Sequence, residues 1–199
     1  MAEQVPAPRL SDLPNLLSLA RLVATPVVIG LLLLGWPGSG LLAAIIFALA
    51  SITDFVDGRL ARARGTVSRL GVFLDLAADK VLVAGVLIAL VELQAVPTWI
   101  AATIVIREFV VQAVRQLAAS EDVVISARRL GKAKTVATLV GIFVVVLARD
   151  ALTGGPLASL GAGGPLSATG FWLMVLATAM TVVSGLDYLR AALPSLTSR

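Results

Sequence analysis

Six apolar segments, at about 16–34, 41–53, 72–91, 98–117, 133–147 and 171–186, recur along the chain. Most approach the roughly 20 residues a helix needs to cross a hydrocarbon layer about 30 Å thick. Backbone inside lipid must satisfy its own hydrogen bonds, so these segments are expected as helices, the second continuing past its apolar part to about residue 62. With 58% hydrophobic and 14% charged residues, the chain is far more apolar than a water-soluble domain. The expected fold is all-α: a polytopic integral membrane protein with six transmembrane helices, forming one domain over 1–199 with an N-terminal cytoplasmic segment at about 1–14. "WPGSG" at 36–40 and "QAVP" at 94–97 carry turn residues for tight hairpins, and the Gly/Pro-rich stretch 153–170 is expected as a loop with little helix. The N-terminal segment has acids and prolines where a secretory signal has a basic region, so the first span is expected to be retained.

Charge gives the orientation. With the N-terminus inside, all of the 16 Lys and Arg residues except Arg107 and Arg149 gather at cytoplasmic ends and loops. This is a strong positive-inside pattern. The net charge of +4 borders the spans and forms no soluble basic patch, so no nucleic-acid partner is expected; much of it sets topology and touches anionic lipid.

The chain contains no cysteine and no histidine. Disulfides, Ser-His-Asp triads and imidazole or thiolate metal sites are therefore excluded, and chemistry must run on carboxylates, Lys/Arg, hydroxyls and oxygen-held metal ions. Four aspartates stand between residues 54 and 79. Each charge at membrane depth costs at least about 2.5–3.5 kcal/mol on insertion scales, so the group needs compensation. At about 100° per residue, Asp54, Asp57, Gly58 and Ala61 share a stripe roughly 100° wide with Arg62 at its margin; Gly71, Asp75, Ala78 and Asp79 form a second one. Glycine and alanine beside the acids leave room for something bulky and flat. Converging carboxylates repel unless cations neutralise them. A pair of hard divalent cations, Mg²⁺ or Mn²⁺, about 3.5–4 Å apart answers this and suits phosphoryl transfer. The alternative is ion pairing of the acids with Arg59, Arg62 or Lys80.

The pattern Asp54-x-x-Asp57-Gly58-x-x-Ala61-Arg62, eight residues, Gly71-x-x-x-Asp75-x-x-x-Asp79 resembles the complete signature of the CDP-alcohol phosphatidyltransferases. The resemblance implies a six-helix membrane enzyme, homodimeric, with its site near the cytoplasmic surface. It also implies that Asp54, Asp57, Asp75 and Asp79 hold two divalent cations, that Asp79 is the base activating the acceptor hydroxyl, and that Gly58, Ala61, Arg62 and Gly71 bind CDP. Within the family, "IREFVVQAVRQLAASEDVVISARRLGKAKT" at 106–135, "LPNLLSLARLVATP" near the N-terminus and "SGLDYLR" near the C-terminus are similar to the bacterial phosphatidylglycerophosphate synthases. That similarity implies CDP-diacylglycerol and glycerol 3-phosphate as substrates, at the cytoplasmic membrane of a bacterium. Cardiolipin, phosphatidylinositol-phosphate and phosphatidylserine synthases are the alternatives within the family.

An anionic acceptor also agrees with the charges of that second region. Arg107 lies well inside an apolar segment, Arg115 follows about 80° around the same helix, and Lys132 and Lys134 open the next. A phosphate bound there would compensate the arginines. The two lysines stand about 200° apart on an ideal helix, so both can reach one ligand only if the chain is not yet regular at Lys132. The alternative for Arg107 is a salt bridge to Glu108 or to the aspartates. An ion-coupled transporter or channel is the rival from another class, but it predicts acids dispersed through the membrane depth, whereas these bunch at one hairpin.

Overall fold

The computed structural model describes the backbone of residues 13–64, 69–120 and 129–197, with side chains over 15–53, 71, 73–120 and 130–192. Six α-helices run in order: α1 Leu13–Leu34, α2 Ser39–Arg64, α3 Arg69–Glu92, α4 Thr98–Ser120, α5 Arg129–Leu152 and α6 Gly163–Thr197. A single 3-10 turn, Ala158–Leu160, precedes α6, and there is no strand among the described residues.

Among the described residues, three stretches are long and apolar enough to cross a membrane, Asn15–Leu34, Leu130–Leu152 and Gly163–Ala192, while Ser39–Thr53 is apolar but shorter. The chain is a membrane protein. α3 and α4 fall short of a plain apolar span because each carries charges within it: Asp75, Asp79 and Lys80 in one, Arg107, Glu108 and Arg115 in the other. Large apolar side chains such as Ile52, Ile88, Ile106, Phe109 and Trp172 point outward, a distribution that suits lipid and not water.

The hairpins fall where turn residues predict them. α1 stops at Leu34 because Gly35 follows in the left-handed region (φ 63°), which needs no Cβ clearance. Gln94 supplies the positive φ (55°) between α3 and α4. Two boundaries differ from expectation. The stretch 153–170 is loop only to residue 162. There α6 already begins, because Pro165 in its first turn sacrifices an amide that a helix start leaves unpaired anyway. The helix α5 begins at Arg129, four residues ahead of the apolar segment at 133.

α1 packs on α2 and α3, α5 runs along α6, α4 also lies on α6, and α2 crosses α5. Small residues let these backbones approach. A Cβ placed on Gly40 of α2 would come 2.5 Å from the Asp150 amide nitrogen of α5, and one on Gly170 of α6 would come 2.7 Å from Val145 Cγ2. Fully buried Val28, Phe47, Leu87, Ile100, Ile142 and Met174 fill the space between. α3 meets α4 and α5 along much shorter stretches than these, and a cleft opens among the three.

Candidate functional site

Asp75 and Asp79 stand one turn apart on α3, with fully buried Ala78 beside them and Gly71 one turn earlier, so the helical period alone puts both carboxylates on one face. Each has a cation nearby. Arg21 of α1, whose side chain is only 1% exposed, donates from Nη1 to Asp75 Oδ1 at 3.4 Å. Lys80 Nζ lies 3.5 Å from Asp79 Oδ2. Neither acid is sealed: the side chains of Asp75 and Asp79 keep 43% and 32% of their surface open.

Lys80 also donates to Glu108 of α4, and Lys134 of α5 donates to the same carboxylate from the other side. Arg107 joins them, its Nη1 donating to Glu108 Oε1 at 3.1 Å while Nη2 donates to Ser184 Oγ of α6 at 3.0 Å. Gly185 beside that serine lets the arginine stem lie close, since a Cβ there would come 3.0 Å from Arg107 Cγ. One carboxylate thus gathers three cations from three helices. Cations that would each be expensive to bury alone are partly offset by the carboxylate they share.

Asp79, Lys80, Glu108, Lys134, Thr135 and Thr138 line the cleft, with Val83, Ile104 and Leu139 as its apolar wall; the empty space is about 470 Å³ including the open mouth. The two threonine hydroxyls donate back along α5, to Gly131 O and Lys134 O, and present their oxygens as acceptors.

The structure therefore brings Asp79 and Lys134 to one cleft and sets Arg107 behind its wall, joined through Glu108. Two expected members stand apart. Because α5 is already helical at Arg129, the irregular start that would let Lys132 share a ligand with Lys134 does not occur; Lys134 is buried and Lys132 exposed. Arg115 is exposed, two turns beyond Arg107, with its guanidinium 5.7 Å from the centre of the Tyr188 ring on α6, a cation–π contact. The side chains of Asp54, Asp57, Gly58, Ala61 and Arg62 on α2 lie outside the described residues. Lys80 and Glu108 are the members sequence reasoning undervalued, having weighed them only as alternative ion-pair partners. Their signal was charge inside an apolar helix, next to a candidate residue in each case.

Carboxylate oxygens are the donors hard divalent cations prefer, and the partly open Asp75 and Asp79, each with a cation no nearer than 3.4 Å, fit that role. No group of three or more His, Cys, Asp or Glu side chains converges among the described residues.

Residues 11–183, a range that takes in α1 to α5 and more than half of α6, match the CDP-alcohol phosphatidyltransferase family. The chain belongs to that family. Among curated relatives of this phosphatidyltransferase, the Bacillus subtilis protein named CDP-diacylglycerol–glycerol-3-phosphate 3-phosphatidyltransferase is 35% identical over 191 residues, spanning 89% of this chain and 93% of the relative. A Mycobacterium tuberculosis protein named probable phosphatidylglycerophosphate synthase is 37% identical over 190 residues, 93% of this chain and 83% of its own. A rice protein named cardiolipin synthase (CMP-forming) is 30% identical, and the match spans 95% of this phosphatidyltransferase but 60% of the rice chain.

Proposed function

We propose that this chain transfers the phosphatidyl group of CDP-diacylglycerol to sn-glycerol 3-phosphate, giving phosphatidylglycerophosphate and CMP in phospholipid biosynthesis. The observation that carries the reading is the cleft, where a carboxylate in the family's base position, Asp79, faces Lys80 and Lys134 beside the Arg107–Glu108 pair. A small acceptor with a hydroxyl at one end and a phosphate at the other has chemistry to match both. Relatives named for this reaction align over about nine-tenths of the chain.

In this reading Lys80 and Lys134 receive the acceptor phosphate, and Arg107, joined to them through Glu108, adds its charge from behind the wall. The acceptor's 1-hydroxyl oxygen then bonds to the phosphorus bearing diacylglycerol, the bond from that phosphorus to CMP breaks, and the hydroxyl proton passes to Asp79. Asp54, Asp57, Asp75 and Asp79 would hold two divalent cations, Mg²⁺ or Mn²⁺, whose positive charge would polarise the pyrophosphate. Arg21 orients Asp75 from α1. Gly58, Ala61, Arg62 and Gly71 admit the CDP moiety, and Lys132 and Arg115, outside the cleft, fall out of the proposed contact set.

The proposed setting is a bacterial cytoplasmic membrane, crossed by all six helices, with both termini and the site on the cytoplasmic side where the soluble reactants are. The distribution of Lys and Arg supports that orientation. A homodimer is part of the proposal. The test offers the purified protein, in detergent with CDP-diacylglycerol, a choice of glycerol 3-phosphate, glycerol, serine, inositol 1-phosphate and phosphatidylglycerol, and measures CMP release. Glycerol 3-phosphate should dominate. Preference for phosphatidylglycerol would move the assignment to cardiolipin synthesis, the reaction in the rice relative's name.

A further inference from the structure

Glu108 is the one acid among the cations of the cleft that the proposed reaction leaves without a task. It sits in the middle of α4, its side chain 15% exposed, and its two oxygens are divided: Oε2 accepts from Lys80, while Oε1 accepts from Lys134 and from Arg107. With Asp79 set aside for the cations and the hydroxyl proton of the proposed reaction, the three positive charges against the one negative charge of Glu108 leave a surplus of two. A phosphomonoester carries about −1.5 to −2 at neutral pH, so the cluster with Glu108 in place is charge-matched to such a group, whereas the three cations alone would exceed it.

Glu108 also fixes where the cations stand. Lys80 and Lys134 are flexible four-carbon stems whose ammonium groups repel one another across a part-buried site. Without a shared anchor, Lys80 has Asp79 Oδ2 at 3.5 Å as its remaining carboxylate. It would settle there, drawing a cation off the phosphate and onto the proposed base.

We propose that Glu108 is the positioning residue of the acceptor pocket: it holds Lys80, Arg107 and Lys134, from α3, α4 and α5, at the spacing and net charge that receive a phosphomonoester. This rests on the reading of the cleft as the acceptor site. Glu108 touches neither the reacting hydroxyl nor the phosphorus; it acts through the cations it holds.

The experiment compares the full-length wild type, Glu108→Gln, Glu108→Asp, Lys134→Ala and the Glu108→Gln/Lys134→Ala double variant in detergent, measuring KM for each substrate separately. Glu108→Gln keeps the shape and removes the charge, and should raise KM for glycerol 3-phosphate about ten-fold or more while KM for CDP-diacylglycerol stays within about two-fold. Glu108→Asp keeps the charge one methylene short, and should recover part of the loss. Because Glu108 works through Lys134, the double variant should be little worse than the poorer single one. An acceptor KM that is unchanged or lowered in Glu108→Gln overturns the proposal, as do single effects that multiply in the double variant or equal rises for both substrates. Should Glu108→Gln fail to fold, Glu108→Asp alone decides: wild-type acceptor KM there refutes the positioning role. A wild type that makes no CMP with glycerol 3-phosphate refutes the proposed function; one that does, with a Glu108→Gln variant of normal KM, refutes this inference alone.

Discussion

Asp150 stands at the end of α5 remote from the cleft, and Asp150→Asn should destabilise the protein while leaving its substrate affinities intact. The residue is fully buried. Its Oδ1 accepts from the Leu41 amide at 3.1 Å and its Oδ2 from the Leu157 amide at 3.1 Å, while its backbone carbonyl accepts from the Gly155 amide at 2.8 Å. The Leu41 amide is one of the donors that the start of α2 cannot pair within its own helix, so Asp150 caps α2 from a different helix and pins the loop before α6 at the same time. Asparagine has one acceptor oxygen and sets an NH₂ against the second amide. A hydrogen bond to a charged group is worth about 1.5–3 kcal/mol and a stranded buried amide costs about 1–3 kcal/mol, so the substitution should cost about 3–5 kcal/mol. At about 2–4 °C per kcal/mol for a chain of this size, that is a fall in Tm of about 6–20 °C. The assay is thermal unfolding in detergent, followed by tryptophan fluorescence, with both KM values taken well below the transition. A Tm within about 2 °C of the wild type would refute the capping role, and a changed acceptor KM would refute the separation of this end of the bundle from the cleft.

Three further outcomes follow from the site and its setting. A chelator should abolish activity and Mg²⁺ or Mn²⁺ restore it, and Asp75→Asn or Asp79→Asn should each reduce turnover to near background; full turnover in Asp79→Asn would sink the base assignment. Arg107→Lys should raise acceptor KM roughly ten- to a hundred-fold with little change for CDP-diacylglycerol, because one ammonium nitrogen replaces the two nitrogens of a planar fork that reach Glu108 and Ser184 separately. In this cysteine-free chain, Ser120→Cys should react with an impermeant thiol reagent only from the cytoplasmic side and Thr153→Cys only from the other; reaction from one side for both would break the six-span topology.

Much of the protein was legible along single helices. Hydrophobic runs of bilayer length dictated an all-helical membrane chain, since lipid leaves the backbone no other partner. The fixed 100° step of a helix was enough to align Asp75 with Asp79 before any neighbour was known. Lys132 shows where that reasoning needed one more fact. The 200° offset from Lys134 was visible in the spacing, but whether it mattered depended on where α5 starts, and polar residues ahead of an apolar run give no signal for that.

What one helix cannot specify is which of its faces meets which face of another. Arg21 and Asp75 are 54 residues apart, Arg107 and Ser184 are 77, and Leu41 and Asp150 are 109. Each pair forms only because contacts at small residues, Gly40 on Asp150 and Gly185 on Arg107 among them, fix the rotation and height at which helices pass. Glu108 is the sharpest case. By sequence it was a neighbour of Arg107; the packing of α3, α4 and α5 made it the carboxylate shared by three cations. In a low-dielectric interior a charge is tolerated only where partners converge on it, and convergence from three helices is a property of their packing, not of any one segment.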